Sequence, residues 1–343
     1  MDINVLRKHN DLPGAKKVFF VPMNTLMVDY YDAFMRNGFE LYSINFEDKW
    51  SDKEYTKEFQ SKLEQIFLDV CRNQKPEWIF FLCDCSLIST DTIKLAKQIL
   101  PNSLFTNWTG DVRQGLKPGV EEIGKVVDIT YIVGTGQIDL YKSRGLKRVE
   151  FSQTGLDVSN HYPLSDERRA ELKKLYKHDI VFCANNAGGY PGQALRMEVA
   201  DKLCKTFGSN FGLYGGGWDG QYKNSVRGSI SYNTQNDVYA ASVVVISINN
   251  FNNVAMYFSC RQLNAMATGT LTLSCYIPGL ENYFENKKDL VWFHSADECV
   301  DLVKYYLAHQ DEARCIGLSG CDKIFKSHTK FDRIKELKER LGF

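Results

Sequence analysis

Short runs with no polar residue inside them recur along the chain, and amphipathic stretches separate them. Trp78-Ile79-Phe80-Phe81-Leu82 is the clearest example. A strand that is apolar at every position must be covered on both faces. The arrangement that does this is a parallel sheet whose crossovers are helices. Residues 18–21, 39–45, 104–108, 129–133 and 149–152 read as further strands. Helical patterns fill the gaps at 26–36, 53–72 and 90–100. The first half of the chain is therefore expected to be an α/β unit.

Near residues 155–163 the text changes to GLDVSNHYP, followed by the charged stretch SDERRAELKKLYKH, which reads as a helix. The alternation then restarts. Strands are expected at 180–183, 211–214, 243–248, 271–273 and 290–293, and helices at 193–206, 297–308, 310–327 and 330–341. The most apolar run, 239–248, is Val-rich and suits a buried strand. With 343 residues, and about 100–200 per domain, the expectation is two doubly wound domains facing each other across a cleft. In such sheets ligands sit beyond the carboxyl ends of the strands.

Composition narrows the function classes. Lys and Arg total 42 and Asp and Glu total 42, so the chain lacks the basic excess typical of nucleic-acid domains. No run approaches the ~18 apolar residues of a membrane span, and the polar start MDINVLRKHND has no signal-peptide core. Ten cysteines without CxxC spacing fit reduced thiols in a cytosolic protein. No Walker A loop, dinucleotide-binding glycine fingerprint, HExxH or GxSxG is read, which argues against P-loop phosphoryl transfer and a simple dinucleotide dehydrogenase.

Four strand-end loops remain as candidates. Asn185-Asn186-Ala187-Gly188-Gly189 lies between a strand and a helix, where backbone N–H groups and a helix dipole suit an anion. It also reads as a plain flexible turn. Tyr214-Gly215-Gly216-Gly217-Trp218 offers close backbone approach beside a flat ring on which a base or sugar could stack. The alternative is a glycine turn with the Trp in the core. In the stretch from Met256 through Tyr257 to Gly269, Ser259 is placed to cap a helix whose first turn carries Arg261. A guanidinium beside free N–H groups suits a diphosphate, whereas the plainer reading gives Arg261 a surface ion pair. Finally, Trp108-Thr109-Gly110-Asp111 puts a carboxylate at a strand end of the first half, where Asp111 could take a proton from an acceptor hydroxyl. Asp84, between Cys83 and Cys85, is its competitor, and loop capping is the commoner role for either.

The C-terminal third resembles the spore-maturation CgeB-like family, within the glycosyltransferases of GT-B fold. The resemblance rests on Ser259, Arg261, Leu263, Asn264, Ala267, Gly269, Gly279-Leu280, Phe284, Tyr305-Tyr306-Leu307, His328-Thr329 and Arg333. It extends more loosely to Phe182, Arg196 and the Tyr214–Trp218 element, and covers the N-terminal half only in general plan. It implies two Rossmann-like domains, with an acceptor domain at 1–155, a nucleotide-sugar domain at 156–325, and a last helix, 326–343, that crosses back. It also implies transfer of a sugar from a nucleotide-diphosphate donor to a hydroxyl, with no metal and no further cofactor. The expected donor-binding set is Asn185, Asn186, Gly188, Gly189, Gly215, Gly217, Trp218, Tyr257, Ser259, Arg261 and Asn264. One departure stands out: the family's Glu for the donor ribose falls at Asn264, which carries no charge. The acceptor is open: a glycan, a protein, a small molecule or a modified DNA base. A phage-type DNA glycosyltransferase would use a basic rim of Arg113, Lys117, Lys142, Arg144, Lys147 and Arg148. A non-catalytic nucleotide-sugar-binding or scaffold protein is the other alternative.

Overall fold

A computed structural model describes residues 6–22, 28–44, 57–82, 88–218 and 222–343. The chain forms two compact units, one from residues 1–153 with 330–343, the other from 154–329.

The first unit contains β1 (Leu6–Lys8), β2 (Lys17–Val21), α1 (Val28–Arg36), β3 (Glu40–Ile44), α2 (Lys57–Gln74), β4 (Trp78–Phe81) and α3 (Thr90–Ile99). It continues with β5 (Leu104–Thr109), α4 (Pro118–Val126), β6 (Ile129–Ile132), α5 (Ile138–Ser143) and β7 (Val149–Phe151). The sheet order is β1-β3-β2-β4-β5-β6-β7, parallel except for β1, which pairs antiparallel with β3. Alternation along β2 and β4 explains why Val18–Val21 and Trp78–Phe81 are apolar throughout. Phe20, Trp78 and Phe80 each pack against Phe34 of α1 at a ring-centroid distance of 5.5 Å. Phe19 and Phe81 turn the other way, against Phe67 of α2.

The second unit contains α6 (Asp166–Tyr176), β8 (Ile180–Cys183), α7 (Gln193–Phe207), β9 (Phe211–Tyr214), β10 (Val226–Gly228), α8 (Gln235–Ala241) and β11 (Val244–Ser247). It continues with α9 (Cys260–Ala267), β12 (Leu271–Cys275), β13 (Val291–Phe293), α10 (Ala296–Ala308) and α11 (Gln310–Ser327). Its sheet, β10-β9-β8-β11-β12-β13, is parallel throughout. Ser165 caps α6 by accepting the Arg168 N–H, which fixes where the charged helix begins. The run 239–248 is not one strand: Tyr239–Ala241 closes α8 and only Val244–Ser247 is extended. Both pieces are buried, so the apolar text hides the turn between them.

The last helix, α12 (Lys330–Leu341), belongs to the first unit and lies along α1. Ile334 and Leu337 are buried, Asn37 Nδ2 donates to the Phe331 carbonyl at 3.0 Å, and Lys338 Nζ donates to the Asn37 carbonyl at 2.6 Å. Among the described residues, no helix is long and apolar enough to cross a membrane.

Candidate functional site

The carboxyl edge of the second sheet is built by the loops after β8, β9 and β11 and by the start of α9. The first two loops are zipped together. Gly216 N–H donates to Asn185 Oδ1 at 2.9 Å, Asn186 N–H to the Gly216 carbonyl at 2.9 Å, and Asn186 Nδ2 to the Gly217 carbonyl at 3.0 Å. A Cβ on Gly215 would stand 2.2 Å from the Ala184 carbonyl oxygen, and its φ of +133° also excludes ordinary side chains. The glycines therefore serve loop-to-loop contact, and the Gly215 N–H is taken by the Gly228 carbonyl. Residues 215–220 have the letter spacing G-x-G-x-x-G. Their described part, 215–218, follows β9 and opens no helix, as the dinucleotide fingerprint must. Trp218 is not a stacking platform: it is 7% exposed, packs beside Phe182 and Tyr222, and donates its indole N–H to Ala184 O at 2.6 Å. Gly188 and Gly189 are exposed, and Gly189 has a φ of +88° with open space around it.

Arg196, on α7, ties the strand ends together. Its Nε and Nη2 donate to the Ile248 carbonyl at 3.0 and 2.7 Å, and its Nη1 reaches the Asn185 carbonyl at 3.3 Å. Burial, and next the nearby Arg261 charge, lower its pKa to about 10. Arg261 itself is half-buried in the first turn of α9. Among the described residues it makes no hydrogen bond or ion pair, so the surface-pair reading does not hold. Tyr257 is buried in the same neighbourhood and lies in the field of Arg196.

Ser259 occupies the N-cap position with extended backbone, but its side chain makes no capping bond. Its N–H is held instead by Asn249 Oδ1 at 2.9 Å, and its Oγ is buried without a partner. This corrects the capping expectation. Other side-chain atoms at this edge are also buried and unpaired: Asn249 Nδ2, Asn250 Oδ1, Gln262 Nε2 and Asn264 Oδ1. The amide of Asn264 donates weakly to Tyr232 OH at 3.4 Å, and Tyr232 packs edge-on against buried His161 at 4.7 Å. Unpaired buried polar atoms cost about 1–3 kcal/mol each, so this concentration marks a place that a polar ligand or water completes. Asn249, Asn250 and Gln262 escaped the sequence reading. The run Asn249-Asn250-Phe251-Asn252-Asn253 directly after a strand was the available signal.

In the first unit, Asp111 follows β5. Its side chain is 60% exposed and pairs with Arg113 at 2.7 Å. The Trp108 ring folds beneath Gly110, where a Cβ would come within 2.7 Å of it, and its indole N–H donates to the Ser152 carbonyl. Asp111 shows no loop-capping bond among the described residues. Asp84 lies outside the described residues. In the basic rim, Arg113 and Arg148 are ion-paired with Asp111 and Glu150. Among the described residues, no group of three or more His, Cys, Asp or Glu converges as a metal site.

Residues 196–339 match the family model described as glycosyl transferase-like. Solved structures match nearly the whole chain. Sucrose-phosphate synthase from Thermosynechococcus elongatus aligns over 95% of this chain and 99% of its own, at 14% identity and a TM-score of 0.63. Anabaena HepE, solved with UDP and glucose, aligns over 95% and 99%, at 10% identity and a TM-score of 0.65. A glycosyltransferase from Rickettsia africae aligns over 96% and 99%, at 12% identity and a TM-score of 0.63. No curated protein sequence matches the chain. At these identities the likeness is one of fold, and the fold is that of the GT-B glycosyltransferases.

Proposed function

We propose that the chain is a glycosyltransferase that takes a sugar from a nucleotide-diphosphate donor and passes it to an acceptor hydroxyl. The observation that carries this reading is the start of α9. An unpaired guanidinium, Arg261, stands at a helix N-terminus among buried, unpartnered amides. Diphosphate oxygens need charge-assisted donors, and the guanidinium with the helix N–H groups supplies them without a metal ion. The amides of Asn249, Gln262 and Asn264 are suited to neutral hydroxyls of the sugar or ribose. The glycosyl transferase-like match covers this segment, and HepE, of the same fold, is solved with UDP-glucose.

Asn264 in this reading accepts from a ribose hydroxyl through its unpaired Oδ1. Asp111 is the proposed base for an inverting reaction, with Arg113 holding its carboxylate in place. Placement within the CgeB-like group, and action in the cytoplasm, belong to the same proposal. The test is release of nucleoside diphosphate from a panel of UDP-, GDP-, ADP- and dTDP-sugars, by the wild-type chain and by Arg261→Ala. Release from one donor, lost in the variant, is expected. No release from any donor by the folded wild type, with acceptor mixtures present, would leave only a binding protein.

A further inference from the structure

The first unit carries a half-open cavity of about 360 Å³ at the amino edge of its sheet. Lys16 stands just before β2, Glu77 before β4, Leu104 at the start of β5 and Arg148 before β7. Arg340 and Phe343, at the end of the chain's last helical segment, form another wall. Ligands of open α/β sheets ordinarily use the opposite, carboxyl edge, so this cavity is no part of the site described above.

Its charge is unbalanced, with three cations against one carboxylate. Glu77 is already engaged, accepting the Lys17 N–H at 2.8 Å and facing Lys16 Nζ at 3.2 Å. Arg148 spends Nε on Glu150 at 2.5 Å, and Arg340 spends Nη1 on the Phe151 carbonyl at 2.9 Å. Among the described residues, the remaining N–H groups of both guanidinium ions have no protein partner. Each is thus oriented by one bond and keeps free donors. The floor is apolar: Phe343 stacks on Trp78 at 5.4 Å and 15°, with Leu104 and Leu341 beside it.

We propose that this cavity binds a small phosphate monoester with a flat apolar part. The two guanidinium ions and the Lys16 ammonium hold the phosphate, and the Phe343 side of the cavity holds the apolar part. The volume lies within the range of about 300–1,000 Å³ that small-molecule sites occupy. Because α12 and the residue before β7 both contribute walls, an occupant pins the last helix to the sheet and stabilises the first unit. The proposal is independent of the glycosyltransferase reading.

The experiment is calorimetric titration of the full chain with phenyl phosphate in low salt, with inorganic phosphate and phenol as comparisons. One site is expected, tighter for phenyl phosphate than for phosphate and silent for phenol. The Arg148→Gln/Arg340→Gln double variant should weaken phenyl phosphate at least tenfold, and Arg261→Ala should leave it unchanged. Lys16→Gln with Arg148→Gln repeats the test without touching the Arg340 bond to Phe151; both of these side chains are 57% exposed, so folding is not at stake. Absence of binding to the wild type overturns the proposal. So does undiminished affinity in the folded double variants, or loss of binding in Arg261→Ala, which would place the phosphate in the other unit.

Discussion

The two sheets end differently at their carboxyl edges. After β11 and at the start of α9 the polar groups are mostly buried, amide-rich and incompletely paired, and Arg196 ties the ends of β8 and β11 to each other. After β5 the one candidate group, Asp111, is exposed and held by a single arginine. A site assembled in advance, with desolvated donors, fits a constant ligand such as a nucleotide diphosphate. An open carboxylate fits a reaction partner that arrives from solvent. The proposed reading follows this difference, with the donor in the second unit and proton removal in the first.

The largest effect should come from the open side. Asp111→Asn keeps the shape and removes the proton acceptor, so kcat should fall about 10²–10⁴-fold with donor affinity little changed. Normal turnover by the folded variant would reduce Asp111 to a partner of Arg113. Next is a stability effect confined to the second unit. His178 is fully buried, its Nε2 meets Tyr214 OH at 2.9 Å, and burial lowers its pKa to about 4. The unfolded chain binds that proton below about pH 6.5, but the folded chain does not until near pH 4. Stability is therefore full above pH 6.5 and falls by roughly 3 kcal/mol as the pH drops toward 4. Denaturant melts between pH 7 and 4.5 should show this slope, and His178→Asn should flatten it while lowering stability at pH 7. A slope unchanged in the variant would assign the acid sensitivity elsewhere.

Arg261→Ala comes third. A charge-assisted hydrogen bond is worth about 1.5–3 kcal/mol, so donor dissociation constants should rise about ten- to a hundredfold. Unaltered donor binding would separate Arg261 from the diphosphate. The smallest effect is expected at Asn264. A carboxylate accepts hydrogen bonds from hydroxyls more strongly than an amide does, so Asn264→Glu should retain or modestly tighten a ribonucleotide donor. Complete loss in a folded variant would mean that the pocket selects a neutral side chain.

Much of this arrangement is legible in the sequence because apolar strands and amphipathic helices are long-range consequences of burial on two faces. Trp78–Phe81 and Ile180–Cys183 announce themselves that way. The details that escape are pairwise. Nothing in Gly215-Gly216-Gly217 tells whether the close approach is to a ligand or, as found, to the Ala184 and Asn186 carbonyls. Ser259 has a capping residue's identity and position, yet Asn249 takes its N–H and leaves the hydroxyl unused. Trp218 reads equally as platform or core until its indole N–H is seen on Ala184. At Arg261 the sequence shows the position, the first turn of α9, but not what the guanidinium pairs with.

The start of α9 is the proposed seat of the donor diphosphate. Amide hydrogen exchange of the full chain, with and without the nucleotide sugar that most raises its melting temperature, tests this most directly. A ligand at 100 times its dissociation constant should stabilise the chain by about 2.7 kcal/mol. Protection is predicted at residues 259–264 and 249–253, with little change at Gly215 and Gly216, whose N–H groups are bonded to the Gly228 carbonyl and to Asn185 Oδ1. Protection that spares 259–264, or that appears only in the first unit, would contradict the account.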